Sequence, residues 1–181
     1  MTKNVFIATS LDGFIARPDG SLDWLLGATD STDDHGYNDF ISGIDTIVMG
    51  RGTFDAVVGF ESWPFDGLRV IVASSSRTQQ DYPHISPDKY EIVGGDVSTI
   101  IRRCEESGAK NIYVDGGALI QSFLREGMVD TLTITRIPVL IGEGIPLFGS
   151  LPKDVRCTHQ RTRSYDSGFV QSTYQVILGD Q

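Results

Sequence analysis

Apolar positions in this chain recur with two periods. Short runs rich in Val, Ile and Phe predict strands at Asn4 to Thr9, Thr46 to Met49, Arg69 to Ala73, Tyr90 to Val93, Asn111 to Val114 and Leu132 to Ile141. Helical spacing appears between them. Tyr37, Phe40, Ile41 and Ile44 recur at i, i+3, i+4 and i+7, which predicts a helix over Asp33 to Gly43, with Ser31, Thr32 or Asp33 able to cap it. A short helix is expected over Thr53 to Val58. Val97, Ile100, Ile101 and Cys104 share the face of another, capped by Asp96 or Ser98 and stopped by Gly108. Ala118 to Glu126 predicts a third, stopped by Gly127. Two strands close the chain, Arg156 to Arg163 and Val170 to Leu178, with Asp166-Ser167-Gly168 as a hairpin signal between them.

Strand–helix alternation followed by an antiparallel hairpin implies an α/β fold. Its sheet should be mixed and mostly parallel, with helices on both faces. The pattern shows no repeat, linker or low-complexity tract, so residues 1–181 are expected to form a single domain. Three loops stand out. Ser10 to Gly27 is long and rich in Asp, Gly and Pro, with Leu22, Trp24, Leu25 and Leu26 as apolar anchors. Loops of this length are often functional. Trp24 is read as a plug of that loop and a wall of a substrate pocket. Trp63 and Phe65, between Glu61 and Gly67, are expected to pack beneath a loop. Gly142 to Gly149 reads as a turn-rich connector.

Two segments carry candidate chemistry: Ile47-Val48-Met49-Gly50-Arg51-Gly52-Thr53-Phe54 and Ile112-Tyr113-Val114-Asp115-Gly116-Gly117-Ala118-Leu119-Ile120. Each is an apolar strand that runs into glycine and then into a helix start. Glycine lets backbone approach a ligand, and a helix start offers unpaired N–H groups to phosphate. Two such junctions suggest a bound dinucleotide. Neither is the Gly-x-Gly-x-x-Gly fingerprint, and there is no Walker loop. In a strand-to-helix turn, Arg51 reads as a phosphate ligand, against the plainer reading of a surface arginine paired with an acid. Ser74-Ser75-Ser76-Arg77 stands at a strand's carboxyl end, where open α/β sheets bind ligands; it could equally be plain loop.

Composition narrows the functional classes. Hydrophobic residues make up 40% of the chain, enough for a real core. The net charge is −9 and no Lys/Arg stripe is present, which argues against nucleic-acid binding. An anionic cofactor remains compatible, because local Arg, Ser and N–H groups can hold phosphate against the global field. No apolar run is long enough to span a membrane. No signal-peptide pattern precedes the first strand, so a cytoplasmic protein is expected. Cys104 and Cys157 give no disulfide framework, and Cys104 is expected in the core. His35, His84 and His159 are far apart and show no metal-ligand spacing, so no metal is expected.

The two junctions resemble the cofactor-binding turns of dihydrofolate reductases: Val48-Met49-Gly50-Arg51-x-Thr53-Phe54 and Val114-x-Gly116-Gly117. Ala8-x-Ser10-Leu11-Asp12-Gly13-x-Ile15-Ala16 and Ile137-Pro138-Val139-Leu140-x-Gly142-x-Gly144-x-Pro146-Leu147-Phe148 are similar to a branch of that superfamily, the C-terminal reductase domain of the bifunctional riboflavin-biosynthesis enzyme. The resemblance runs from about Asn4 to Leu178 and implies a dihydrofolate reductase-like fold with NADPH as cofactor. It places Ala8 and Thr9 at the nicotinamide carboxamide and Ile15 on the nicotinamide ring. Gly50, Arg51 and Thr53 fall at the pyrophosphate and the 2′-phosphate region, and Ser74 and Ser75 where the adenosine 2′-phosphate is read. Gly116, Gly117, Ala118, Leu119 and Ile120 fall at the pyrophosphate and the nicotinamide pocket, with Ala118 in place of a third glycine.

Thr135 matches a threonine that supports the pterin-binding carboxylate of dihydrofolate reductases. Ungapped counting back from Met49-Gly50-Arg51 puts Asp34 at that carboxylate, although Asp33-Asp34-His35 also reads as an ordinary acidic helix N-terminus. Asp115 stands where the riboflavin reductases often carry Glu, as a polar residue near the substrate or as a structural acid. Thr135, Asp34 and Asp115 are the candidates for delivering a proton, and Trp24, Asp34 and Thr135 for contacting the substrate.

The resemblance thus implies NADPH-dependent reduction of a small planar nitrogen heterocycle, similar to 5-amino-6-(5-phosphoribosylamino)uracil reductase. The alternatives are a pterin reductase of dihydrofolate reductase type and a non-catalytic NADPH-binding module. A homodimer is expected by analogy, through the Gly142 to Gly149 region.

Overall fold

A computed structural model describes residues 1–26 and 33–177. The first strand, β1 (Thr2–Ser10), lies near the middle of an eight-stranded sheet. With β3 (Thr46–Gly50), β4 (Arg69–Ala73), β5 (Glu91–Val93), β6 (Asn111–Asp115), β7 (Thr131–Ile137), β9 (Arg156–Ser164) and β10 (Val170–Ile177), the order is β5-β4-β3-β6-β1-β7-β10-β9. All pairings from β5 to β7 are parallel. The last two, β7 with β10 and β10 with β9, are antiparallel. The sheet is therefore mixed and mostly parallel, and closes with the C-terminal hairpin expected from the pattern.

Helices cover both faces because the central strands are apolar on both sides. One layer packs α4 (Val97–Glu106) and α5 (Gly117–Arg125) on Val5, Val48, Ile71, Ile112 and Val114. Cys104 belongs to this core, and burial pushes its thiol up to about 11. The other layer packs α2 (Tyr37–Ser42) and α3 (Arg51–Val57) on Ile47, Met49, Val70, Val72 and Tyr113. Trp63 and Phe65 join that second layer, Trp63 against Phe54. Asp96 caps α4 by accepting the Thr99 N–H at 2.8 Å. No helix among the described residues is long and apolar enough to cross a membrane.

Four expectations need correction. Ser10 to Gly27 is not one irregular loop: it contains β2 (Phe14–Ala16) and α1 (Asp23–Leu26), and Gly27 lies outside the described residues. Strand β2 pairs with β8 (Ile145–Pro146), so the Gly142 to Gly149 segment is not a plain connector either. The Asp33 to Gly43 helix is really six residues, α2, because His35 (φ 53°) and Gly36 (φ 81°) turn left-handed just before it. Ser31 and Thr32, as caps, lie outside the described residues, as does Leu178. Strand β7 stops at Ile137, since Pro138 has no N–H to continue the ladder.

Candidate functional site

Strands β3 and β6 are parallel neighbours, with Met49 opposite Asp115. Their glycine ends therefore lie side by side. Gly116 has φ 98°, and a Cβ there would sit 2.5 Å from Thr53 Oγ1 and 3.6 Å from Gly50 N. One on Gly117 would sit 2.6 Å from Ile15 Cδ1 and 3.4 Å from the Pro146 carbonyl. Gly116 has a left-handed φ that a side chain would strain, whereas a side chain at Gly117 would have to push Ile15 aside, and the result is a cleft floor made of backbone. Helix α5 begins there. Its first helical bond runs from Ile120 N to Gly116 O at 2.9 Å, which leaves the N–H groups of Gly117, Ala118 and Leu119 without intrahelical acceptors. The structure thus brings Ile15, Gly50, Thr53, Gly116, Gly117 and Ala118 together. Ile120 is fully buried and Leu119 nearly so, so these two side chains belong to the core.

Arg51 stands exposed at the start of α3, and its Nη1 donates to Asp55 at 3.0 Å. Asp55 also accepts the Tyr82 hydroxyl at 2.7 Å. Burial, reinforced by this bond, pushes Tyr82 up to about 12. Ser74 and Ser75 follow β4, beside Gly94 and Gly95 after β5. Ser75 Oγ accepts the Gly95 N–H at 3.2 Å, and a Cβ on Gly94 would press on the Ser74 carbonyl at 3.3 Å. With Arg77 and Thr78 they line an open groove.

Asp115 precedes the α5 glycines and accepts the Gly116 N–H at 2.8 Å. Loss of water at this partly buried position raises its carboxyl to about 6, although the Gly116 N–H and the Tyr113 hydroxyl pull the other way. Tyr37 and Tyr113 both feel its charge.

On the far side of β1, Ala8, Thr135 and Gln171 stand in register across β1, β7 and β10. Thr9 is buried in the same sheet. Gln171 Nε2 lies 2.9 Å from both Thr135 Oγ1 and the His35 carbonyl. The Tyr165 hydroxyl lies 3.1 Å from that carbonyl. His35 stacks on Phe169 and its Nε2 is 3.2 Å from Ser167 Oγ. The hairpin thus clamps the turn that carries Asp34. Asp34 itself is exposed and accepts the N–H groups of Gly36 at 3.0 Å and Asn38 at 2.7 Å, which lowers its pKa. It shares the start of α2 without a bond to Thr135 among the described residues. Trp24 is buried against Ile137, Tyr165 and Phe169, and its Nε1 has no acceptor among the described residues.

Asp12 straps the two mouth segments together. It accepts the Ser10 hydroxyl at 2.6 Å and the Gly142 N–H at 2.8 Å, and both its oxygens lie near the Ile141 N–H. The Ser10 bond, with these backbone bonds, lowers its pKa. Sequence reasoning had not singled out Asp12, Asp55, Tyr165 or Gln171. Asp12 lay within a quoted motif, while the other three carry no local signal.

Residues 3–171 match the family model of the RibD C-terminal domain. The Bacillus subtilis (strain 168) protein YwjB is 32% identical over 163 residues, covering 89% of this chain and 90% of YwjB. A crystal structure from Shewanella sp. PV-4, provisionally assigned to riboflavin biosynthesis, is 37% identical with a TM-score of 0.89, covering 98% of this chain and 99% of that one. Dihydrofolate reductase from Enterococcus faecalis, complexed with NADP(H), superposes with a TM-score of 0.67 at 18% identity, covering 99% and 97% of the two chains. The chain belongs to the RibD C-terminal domain family of reductases and has the dihydrofolate reductase fold.

Proposed function

We propose that this chain is an NADPH-dependent reductase of a small planar nitrogen heterocycle, similar to 5-amino-6-(5-phosphoribosylamino)uracil reductase. One observation carries the reading: Gly50 and Gly116 end adjacent parallel strands so closely that a side chain at Gly116 would strike Thr53. Such a backbone-lined cradle suits a dinucleotide, whose phosphates need N–H donors at close range. The donor set fits as well, with Gly117, Ala118 and Leu119 N–H for the pyrophosphate and the Ser74, Ser75 and Arg77 groove, with Arg51, for the 2′-phosphate.

NADPH supplies a hydride when bound, and the chain's own groups do the rest. Ile15, packed over Gly117, orients the nicotinamide end. The Asp12 strap holds the Ser10 to Ala16 segment closed against the Ile141–Gly142 backbone and limits water. Thr135 contacts the ring. Asp115, with its carboxyl raised to about 6, holds a proton at its side-chain oxygen below that pH and only in minor part at neutrality, and is the leading candidate donor.

The test is a calorimetric titration with NADPH and with NADH, followed by NADPH oxidation in the presence of aminouracil and pterin acceptors. Micromolar NADPH binding, tighter than NADH, with turnover of an aminouracil, is the expected result. Absence of binding to either nucleotide refutes it.

A further inference from the structure

Beneath the His35–Gly36 turn, a buried cluster fixes the direction of its hydrogen bonds. The His35 carbonyl can only accept, so the Gln171 atom 2.9 Å away must be the amide nitrogen. The same nitrogen is 2.9 Å from Thr135 Oγ1, and its two N–H groups are divided between these acceptors. Tyr165 OH, 3.3 Å from Gln171 Oε1, agrees with that orientation. Thr135 Oγ1 therefore accepts, and its own proton has no acceptor among the described residues. Thr135 is 5% exposed and Gln171 6% exposed, so water does not readily replace a missing partner. Thr135 stands opposite Ala8 on the strand that leads into the cleft mouth.

We propose that Gln171 is a positioning residue that commits Thr135 to donate a hydrogen bond, so that the ring taken by the cleft presents a carbonyl oxygen there. This rests on the reading of the cleft as a heterocycle reductase. A freely rotating hydroxyl would serve a carbonyl or an amino group alike. With one lone pair filled by Gln171, the group still in need of a partner is the proton. An unused lone pair is tolerated in buried sites more readily than an orphaned donor. An amino group at that point can use only the second lone pair and leaves the Thr135 proton without an acceptor, which weakens binding by about tenfold or more.

Two rings that differ in this polarity, 5-aminouracil and 2,4,5-triaminopyrimidine, make the test by calorimetry. Wild type should prefer 5-aminouracil by about tenfold. Gln171→Met should bring the two affinities within about twofold of each other, with NADPH affinity unchanged and the His35 carbonyl still held by Tyr165. Thr135→Ser should keep the preference and Thr135→Val should erase it, which covers the case of a poorly folded Gln171 variant. A structural role alone would lower both ring affinities equally and leave their ratio intact; that result overturns the assignment. So does a wild type that binds neither ring or prefers the triamine. If NADPH fails to bind while the ring preference behaves as expected, the reductase reading falls and the role of Gln171 stands.

Discussion

At the β3–β6 junction the cleft is made of backbone. Gly50, Gly116 and Gly117 supply the surface, and Thr53 and Ile15 close in where Cβ atoms would be. At the β7–β10 junction it is made of side chains drawn from far apart: Tyr165 and Gln171 meet the His35 carbonyl, 130 and 136 residues from their own places in the chain, and Gln171 also donates to Thr135. The first region depends on the absence of atoms, most strictly at Gly116, where a positive φ and a 2.5 Å contact coincide. The second depends on paired donors and acceptors, so it should tolerate changes of shape better than changes of polarity. A ligand part common to many reactions suits a backbone cradle, and a part that differs between substrates suits exchangeable side chains.

The largest effect should come from adding atoms to the first region. Gly116→Val places side-chain carbon 2.5 Å from Thr53 Oγ1 at φ 98°. NADPH affinity should fall more than about a hundredfold, and the fold should lose roughly 1–3 kcal/mol from backbone strain. Gly52→Ala is the internal contrast: nothing lies within 4 Å of a Cβ there. Within α3, alanine should raise stability by about 0.5–1 kcal/mol. Urea unfolding and NADPH titration of both variants make the comparison. If Gly116→Val binds NADPH normally, the cradle is not where the cofactor sits.

Asp115 borders the first region, immediately before Gly116, and pH reads it out. Its folded-state pKa is raised from 3.8 to about 6 by burial. The folded protein then keeps a proton that the unfolded chain has released. The contribution to stability is full below 3.8 and is lost as pH rises through about 6. Asp12, Asp34, Asp81 and Asp96 are shifted the opposite way, and Asp23 falls to about 2, so their losses occur on acidification below the ordinary carboxyl range. A decline in stability on raising the pH from roughly 4 to 6 should therefore be present in wild type and absent in Asp115→Asn. If Asp115 delivers the proton, the same variant should lose about a hundredfold in turnover. Its pH–rate profile should also lose the limb near 6, where wild-type activity falls as pH rises. Retention of that limb assigns proton delivery to another group.

The comparison also explains what the sequence made legible. Strands such as Arg69–Ala73 and the glycine turns after β3 and β6 are local events, written in adjacent residues, and their bounds agree within a residue or two. The clamp is not local. Nothing near Gln171 marks it as the partner of Thr135, because the pairing exists only once β10 lies beside β7. The start of α2 departs from the sequence pattern for a related reason. The apolar periodicity begins only at Tyr37, and the acidic Asp33-Asp34 pair reads as a helix start, whereas the left-handed turn at His35 and Gly36 is held by Tyr165 and Gln171 from the far end of the chain. Strand β8 leaves no mark in the pattern because two residues, Ile145 and Pro146, are too few for a periodic signal.

Arg51 gives a smaller effect at the edge of the backbone region. Its guanidinium is exposed and already paired with Asp55, so phosphate must compete with a carboxylate 3.0 Å away. Arg51→Ala should weaken NADPH by about tenfold and NADH by less, if the 2′-phosphate is the group it meets. Equal losses for both nucleotides, measured by calorimetry, would restrict Arg51 to the pyrophosphate.

Tyr165→Phe should have the smallest effect and tests whether the second region is governed by polarity. The ring still packs against His35, at 4.7 Å between centroids, and still lies under Arg163. Only the hydroxyl is lost, and the His35 carbonyl keeps Gln171 Nε2 at 2.9 Å as a donor. Gln171 Oε1 loses the donor at 3.3 Å. One long hydrogen bond removed, with the shared acceptor still satisfied, should cost about 1 kcal/mol in urea unfolding. NADPH affinity should not change, because the cradle is built at the other junction. A loss of NADPH binding in this variant would mean that the two regions are coupled through β1, the strand that lies between them in the sheet, and that the division between backbone and side-chain halves of the cleft does not hold.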